Sequence, residues 1–190
     1  MEKIRLHCKD GTVYEGDAPE TVKGFLQIDK DNVLATDTLN EYLWDVLQRL
    51  TDNEEDFDTL SENVKRYVSV GSVRNYVGNG GLVSGLYYCP LLLSSAREGY
   101  LIMSQPIAAK LIGRMEEALK MAISFNESKA KETNIRYYLN DLTPQQDQII
   151  YDFLCPNNEV IDWSVFNVPE QLAEFVRDNY DEFLECCAPM

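Results

Sequence analysis

Residues 38–50 read TLNEYLWDVLQRL, and this stretch decides the fold because the hydrophobic period of the chain changes here. Thr38 is a favourable N-cap residue, and Glu41 stands three residues later, where it completes a capping box. The stretch therefore predicts a helix that begins at Thr38. Its apolar residues recur at steps of three and four and mark one helix face: Leu39, Tyr42, Leu43, Val46, Leu47 and Leu50.

The residues before this helix alternate in polarity instead. Residues 3–8 and 12–14 have the period of a half-buried strand, and Asp10-Gly11 lies between them. Asp-Gly favours a hairpin, because both residues tolerate the positive φ of its turn. Residues 25–28 predict a third strand. So short a ribbon is not stable alone and must pack on the helices.

Further helices are predicted after residue 60. Residues 61–77 form one of them, and Asn79-Gly80-Gly81 ends it with a positive φ expected at Asn79 or Gly80, since these residue types accept that conformation. Residues 82–93 predict a buried helix or helix pair bent at Pro90. Caps and first-turn prolines place later helix starts at Ser104 with Pro106, at Thr143 with Pro144 and Gln146, and at Pro169, whose helix runs to about Cys186.

These patterns predict a mainly α (α+β) fold. Residues 38–190 would form the helical domain, and residues 1–37 a β-hairpin appendage to it. A length of 190 residues suits one domain with an appendage, and a hydrophobic fraction of 45% is enough for a core. No apolar run approaches the roughly 18 residues of a membrane span, and no signal peptide is visible. We expect a soluble, cytoplasmic protein.

The formal net charge of −15 is distributed unevenly. Residues 67–137 carry eight basic and five acidic residues, whereas residues 138–190 carry eleven acidic residues and one basic residue, Arg177. Such a chain will not bind nucleic acid or an anionic membrane directly, because both repel it. A basic protein is the natural complement.

The residues that usually carry catalysis or bind metals form no pattern. The five cysteines include the adjacent Cys186 and Cys187 and contain no Cys-x-x-Cys motif, and His7 is the one histidine. The acidic stretch 52–58 lacks the glycine and the terminal glutamate of a calcium loop. The sequence therefore predicts no catalytic residue, no metal site and no cofactor, and an enzyme that uses Tyr, Asp and Glu is the weakest alternative.

The last predicted helix is the most informative element. Leu172, Phe175 and Phe183 share its apolar face. Over about 22 Å of helix, six acids would give one charge per roughly 4 Å, close to the roughly 3.4 Å between phosphates along one DNA strand. We define the acidic ridge as the six acids predicted on the opposite face, which would bind the partner: Glu170, Glu174, Asp178, Asp181, Glu182 and Glu185. The alternative without a binding function is a solvated helix face that is acidic only for solubility.

Asn79-Gly80-Gly81, with Leu86-Tyr87 shortly after it, resembles the Asn-Gly-Gly-aromatic signature of the bacterial DNA-mimic-protein domain family. The resemblance covers about residues 60–185, although Leu82 stands where the family usually has Phe. It implies a helical fold in which these three residues have a structural role. It also implies an acidic homodimer that imitates duplex DNA and occupies the DNA site of a helix-turn-helix repressor.

Three functional classes follow. The first is a non-enzymatic DNA mimic, or another acidic interaction protein, that binds a basic DNA-binding protein. The second is an immunity-type protein that blocks a basic toxin; both use the attraction of carboxylates to Lys and Arg, which weakens as salt rises. The third is an enzyme of unknown class. The sequence does not separate the first two classes.

Overall fold

A computed structural model describes residues 3–30, 33–47, 54–125, 139–156 and 161–185. The chain is mainly helical with a short N-terminal β-hairpin, so the predicted fold class is confirmed. Within these ranges, no helix combines the length and the apolar character that crossing a membrane requires.

Two strands, β1 (Lys3–His7) and β2 (Val13–Asp17), precede the helices. The 3₁₀ helices are Pro90–Leu92 and Trp163–Phe166. The α-helices are α1 (Val22–Ile28), α2 (Thr36–Leu47), α3 (Glu54–Thr59), α4 (Glu62–Tyr88), α5 (Leu93–Ile102), α6 (Pro106–Phe125), α7 (Pro144–Leu154), α8 (Pro169–Asp178) and α9 (Tyr180–Glu185).

The chain divides into two compact units. The first comprises Met1–Val68 and Val168–Met190, and the second comprises Ser69–Asn167. This division differs from the predicted one at residue 37, because the hairpin, α1, α2, α8 and α9 all belong to the first unit. Each unit has its own buried apolar residues.

In the first unit, the hairpin has the predicted turn. The strands pair antiparallel with Lys3 opposite Asp17 and His7 opposite Val13, and Gly11 in the turn has φ of 83°. The predicted third strand at residues 25–28 is wrong, because these residues belong to α1. The side chain of Thr21 caps α1 by accepting a hydrogen bond from the Gly24 N–H, and this cap favours the helix over a strand.

Helix α2 confirms the helical period that begins near residue 38, but it starts at Thr36. Thr38 is therefore a buried residue inside the first turn, and the predicted capping box is wrong. The buried face of α2 includes Leu39, Leu43, Val46 and Leu47. Helix α2 packs against α8, and α1 packs against α9, so the two ends of the chain share one core.

In the second unit, α4 is broken at Gly80-Gly81. Gly81 has φ of 72° and ψ of −169°, a conformation open essentially to glycine alone. The rings of Tyr76 and Tyr88 stack with centroids 4.8 Å apart, whereas a straight helix would place these residues about 18 Å apart. The helix therefore folds back on itself here. The predicted stop is confirmed, but the positive φ belongs to Gly81 and not to Asn79 or Gly80.

The later helix starts agree with the prediction in part. Thr143 caps α7 and forms the predicted capping box with Gln146. Helix α6 begins at Pro106, but Ser104 lies in the preceding turn with φ of 58°, so Ser104 is not at its cap position. The 3₁₀ helix at Pro90–Leu92 separates α4 from α5, as the predicted bend at Pro90 requires.

Candidate protein-interaction surface

The acidic ridge is divided between two helices. The predicted single helix from Pro169 is wrong, because α8 ends at Asp178 and α9 begins at Tyr180; Cys186 lies outside the described residues. Glu170, Glu174 and Asp178 therefore belong to α8, and Asp181, Glu182 and Glu185 to α9. The ridge is not one straight row of 22 Å, so the predicted spacing of one charge per roughly 4 Å along a single helix is wrong.

Asn179 forms the break. Its backbone N–H donates to the carbonyls of Phe175 and Val176, and its side-chain amide donates to the Phe175 carbonyl at 2.8 Å. Asn63 of α4 then donates to Asn179 Oδ1 at 2.7 Å and to Glu182 Oε1 at 2.6 Å. Glu182 is half-buried, and its carboxylate is occupied by a hydrogen bond within the fold.

The other ridge residues are exposed. Glu170, Glu174, Asp178 and Asp181 have no ion pair with any Lys or Arg in the described part of the chain, and Glu185 is exposed at the end of α9. Bases of residues 67–137 have other partners: Lys120 pairs with Glu117, and Arg114 donates to the Leu154 carbonyl.

Arg177, the one base of the last 53 residues, points inward. Its side chain is 14% exposed and binds Asp29, whose side chain is 1% exposed, at 2.9 Å. A second hydrogen bond to Asp29 measures 3.1 Å, and a third reaches the Leu34 carbonyl at 3.0 Å. The outward face of α8 therefore carries negative charge without a neighbouring cation on the same helix.

A second acidic row, not predicted from the sequence, lies on α2. Asp37, Glu41 and Asp45 are exposed, follow one another at steps of four, and have no ion pair among the described residues. These three residues are the α2 row, and Glu170, Glu174 and Asp178 are the α8 row. Each row lies opposite the buried face of its helix. The i,i+4 spacing alone would have revealed the α2 row.

The two rows lie on neighbouring antiparallel helices. Asn40 in α2 donates to the carbonyl of Pro169, at the start of α8, at 2.7 Å. Arg177, at the end of α8, reaches the carbonyl of Leu34, which precedes α2. The chain directions are therefore opposed. Because Asn40 lies beside Pro169 and Arg177 beside Leu34, the two rows overlap in part and not along their full length.

Gly80 and Gly81 form the break in α4. The side-chain amide of Asn79 donates to Asn75 Oδ1, one turn earlier in α4, at 3.3 Å. Gly81 turns the chain, and a Cβ there would lie 3.3 Å from the Trp163 ring. Within the described ranges, no group of three or more His, Cys, Asp or Glu side chains is arranged to hold a metal ion. Residues 52 and 53 of the acidic stretch lie outside these ranges.

Comparisons of this chain with protein-family models, with curated proteins and with solved structures found no match.

Proposed function

We propose that the protein is a non-enzymatic acidic interaction protein that binds the DNA-binding surface of a basic protein and acts as a DNA mimic. The observation that carries the proposal is the pair of exposed, unpaired acidic rows on α2 and α8. The resemblance of Asn79-Gly80-Gly81 to the DNA-mimic family agrees with it. We propose further that the protein works in the cytoplasm, where such partners are found.

The spacing of the charges supports this proposal. Residues four apart on a helix are separated by about 6 Å along its axis, so each row has one charge per about 6 Å, and the row on the neighbouring helix raises the density where the two rows overlap. One DNA strand carries one phosphate per about 3.4 Å of axis. Where the rows overlap, their charge density approaches that of a single DNA strand, and a groove that binds DNA would meet a similar field there.

The cost of the rows also supports a function. Each row contains two like-charge pairs at i,i+4, and each pair destabilises its helix by about 0.2–0.5 kcal/mol. No described lysine or arginine relieves this repulsion by an ion pair. A surface that served only solubility would tolerate interspersed bases, whereas a surface that binds a cationic groove requires their absence.

The test compares two triple variants of equal charge. The first, E170Q/E174Q/D178N, neutralises the α8 row. The second, E20Q/D58N/D152N, neutralises three exposed acids elsewhere, and each variant changes the net charge by three. Wild-type protein is immobilised, and the proteins that bind it at low salt are eluted with a salt gradient and identified. Wild type and both variants are then compared for their ability to displace DNA from the identified protein, measured by fluorescence polarisation.

The row variant should lose binding, and the control variant should retain it. Wild-type affinity should fall steeply between about 50 and 200 mM salt, because charge pairs across the interface are screened. Equal loss in both variants, or affinity independent of salt, would contradict the proposal. A bound protein that has toxin activity and no DNA site would favour the immunity-type alternative.

A further inference from the structure

We propose that Arg177 is a positioning residue for the acidic surface: its pairing with Asp29 fixes the two rows relative to each other. This inference rests on the proposed function. Arg177 donates through Nε to one oxygen of Asp29 at 2.9 Å and through Nη2 to the other at 3.1 Å. The planar guanidinium thus binds the carboxylate in a bidentate manner, which fixes the orientation of the two side chains as well as their distance.

The pair connects the ends of the two rows. Asp29 follows α1 and also accepts a hydrogen bond from the Leu34 N–H at 2.8 Å, two residues before α2 begins. Arg177 lies in the last turn of α8, next to Asp178 of the α8 row. Because Asn40 holds the other end of α8 through Pro169, α2 and α8 are fixed at two points.

Burial of the pair has a second effect on the surface. An exposed arginine at the end of α8 would neutralise part of the α8 row, but Arg177 is withdrawn to 14% exposure. Apolar residues often replace buried ion pairs without loss of stability, so stability alone does not require this pair. An apolar pair in place of Arg177 and Asp29 would also leave no cation on the surface, but it would lack the bidentate geometry that fixes orientation.

The experiment separates positioning from general attraction with two probes. One is an alanine-based helical peptide of about 20 residues with lysine at every fourth position. The other carries the same number of lysines spaced by glycines and is flexible. Wild type, R177M, R177K and the control R5M are compared by fluorescence polarisation at low salt. Arg5 is a suitable control because its pair with Glu15 is exposed.

R177M should bind the rigid peptide about tenfold more weakly, because the preorganised spacing is lost, and should bind the flexible peptide almost unchanged. R177K retains the charge without the bidentate geometry, so its affinity for the rigid peptide should lie between those of wild type and R177M. R177K also serves as the test variant if R177M does not fold. R5M should match wild type with both probes. Equal weakening with both peptides, or none with either, would overturn the proposal.

Amide hydrogen exchange at Leu34 provides a measurement that needs no partner. The Leu34 N–H bonds to Asp29, so its exchange should accelerate in R177M while amides in the middle of α2 remain protected. If exchange at Leu34 accelerates in R177M but wild type binds neither peptide, the proposed function fails, and the positioning role fails with it. If exchange at Leu34 is unchanged, the positioning role fails alone.

Discussion

The ring of Tyr88 stacks on the ring of Tyr76 at an interplanar angle of 13°, across a turn made by Gly80 and Gly81. Val77 and Gly85 are brought together by the same turn, since a Cβ at Gly85 would lie 2.8 Å from Val77 Cγ2. Eight residues of straight helix would separate these two by about 12 Å. The Asn-Gly-Gly segment is therefore a helix-hairpin turn, and its glycines can be tested individually.

Gly81→Ala should destabilise the protein by about 1–3 kcal/mol, because alanine is strained at φ of 72° and ψ of −169°. Gly78→Ala is the matched control: a Cβ there meets nothing within 4 Å, and alanine favours a helix by about 1 kcal/mol over glycine. Urea unfolding followed by circular dichroism measures both. If the two variants changed stability in the same direction, the turn would not depend on Gly81.

Gly85→Ala should destabilise the protein by about 1–3 kcal/mol through overpacking. A Cβ at Gly85 would lie 2.6 Å from Met115 Cε and 2.8 Å from Val77 Cγ2, so these two buried side chains would have to shift. Gly113→Ala, on α6, has its nearest contact at 3.7 Å and should be neutral or stabilising. The V77A substitution should restore part of the stability of Gly85→Ala; no such rescue would place the strain elsewhere.

Glu182 and Asp181 are neighbours that should respond differently to alanine. E182A should cost about 1–2 kcal/mol, because the charged acceptor of the Asn63 amide is lost. D181A should change stability by less than about 0.5 kcal/mol, since Asp181 is exposed. A double-mutant cycle of N63A with E182A measures their coupling. A coupling near zero would show that Glu182 does not hold α9 to α4.

Glu174 lies between Glu170 and Asp178 on the α8 row, so E174Q removes two like-charge pairs. The substitution should stabilise the protein by about 0.4–1 kcal/mol at low ionic strength. The gain should largely vanish near 1 M salt, where the screening length is about 3 Å. Thermal unfolding at both salt concentrations provides the measurement, with E20Q as the control. A destabilised E174Q would mean that the carboxylate has a structural partner.

Asp162 predicts a dependence of stability on pH. Its carboxylate accepts hydrogen bonds from the N–H and Oγ of Ser164, and these hold the pKa of Asp162 below its usual value. Its contribution is therefore present above the unfolded pKa of about 3.9 and is lost as pH falls through the lower folded pKa. D162N should reduce the change of melting temperature between pH 5 and about 2.5; an unchanged profile would exclude the contribution.

Local patterns predicted the fold where a short stretch contains its own signal. The capping box of Thr143 and Gln146 was correct because both partners lie within one turn. The stretch at residues 25–28 failed because a short apolar run fits either a strand or a helix, and Thr21 decides for the helix. At Thr38 the cap was misplaced because Thr36 and Asp37 extend the helix backwards.

The candidate surface was only partly accessible from the sequence. Helical spacing identified the exposed acids of α8, but the break at Asn179 depends on Asn63, which is 116 residues away. The inward orientation of Arg177 depends on Asp29, 148 residues away, and no periodicity reports such a contact. The α2 row was not predicted, because the net charge of a whole segment conceals an i,i+4 spacing that the sequence contains.

The first compact unit joins Met1–Val68 to Val168–Met190, and this order has a consequence for synthesis on the ribosome. Phe183, fully buried, packs edge-to-face on Tyr67, yet it is translated 116 residues later. The N-terminal helices therefore lack part of their core, with apolar side chains uncovered, while Ser69–Asn167 is translated. Chaperone binding during translation should fall on the N-terminal segment, and its release should coincide with emergence of α8 and α9.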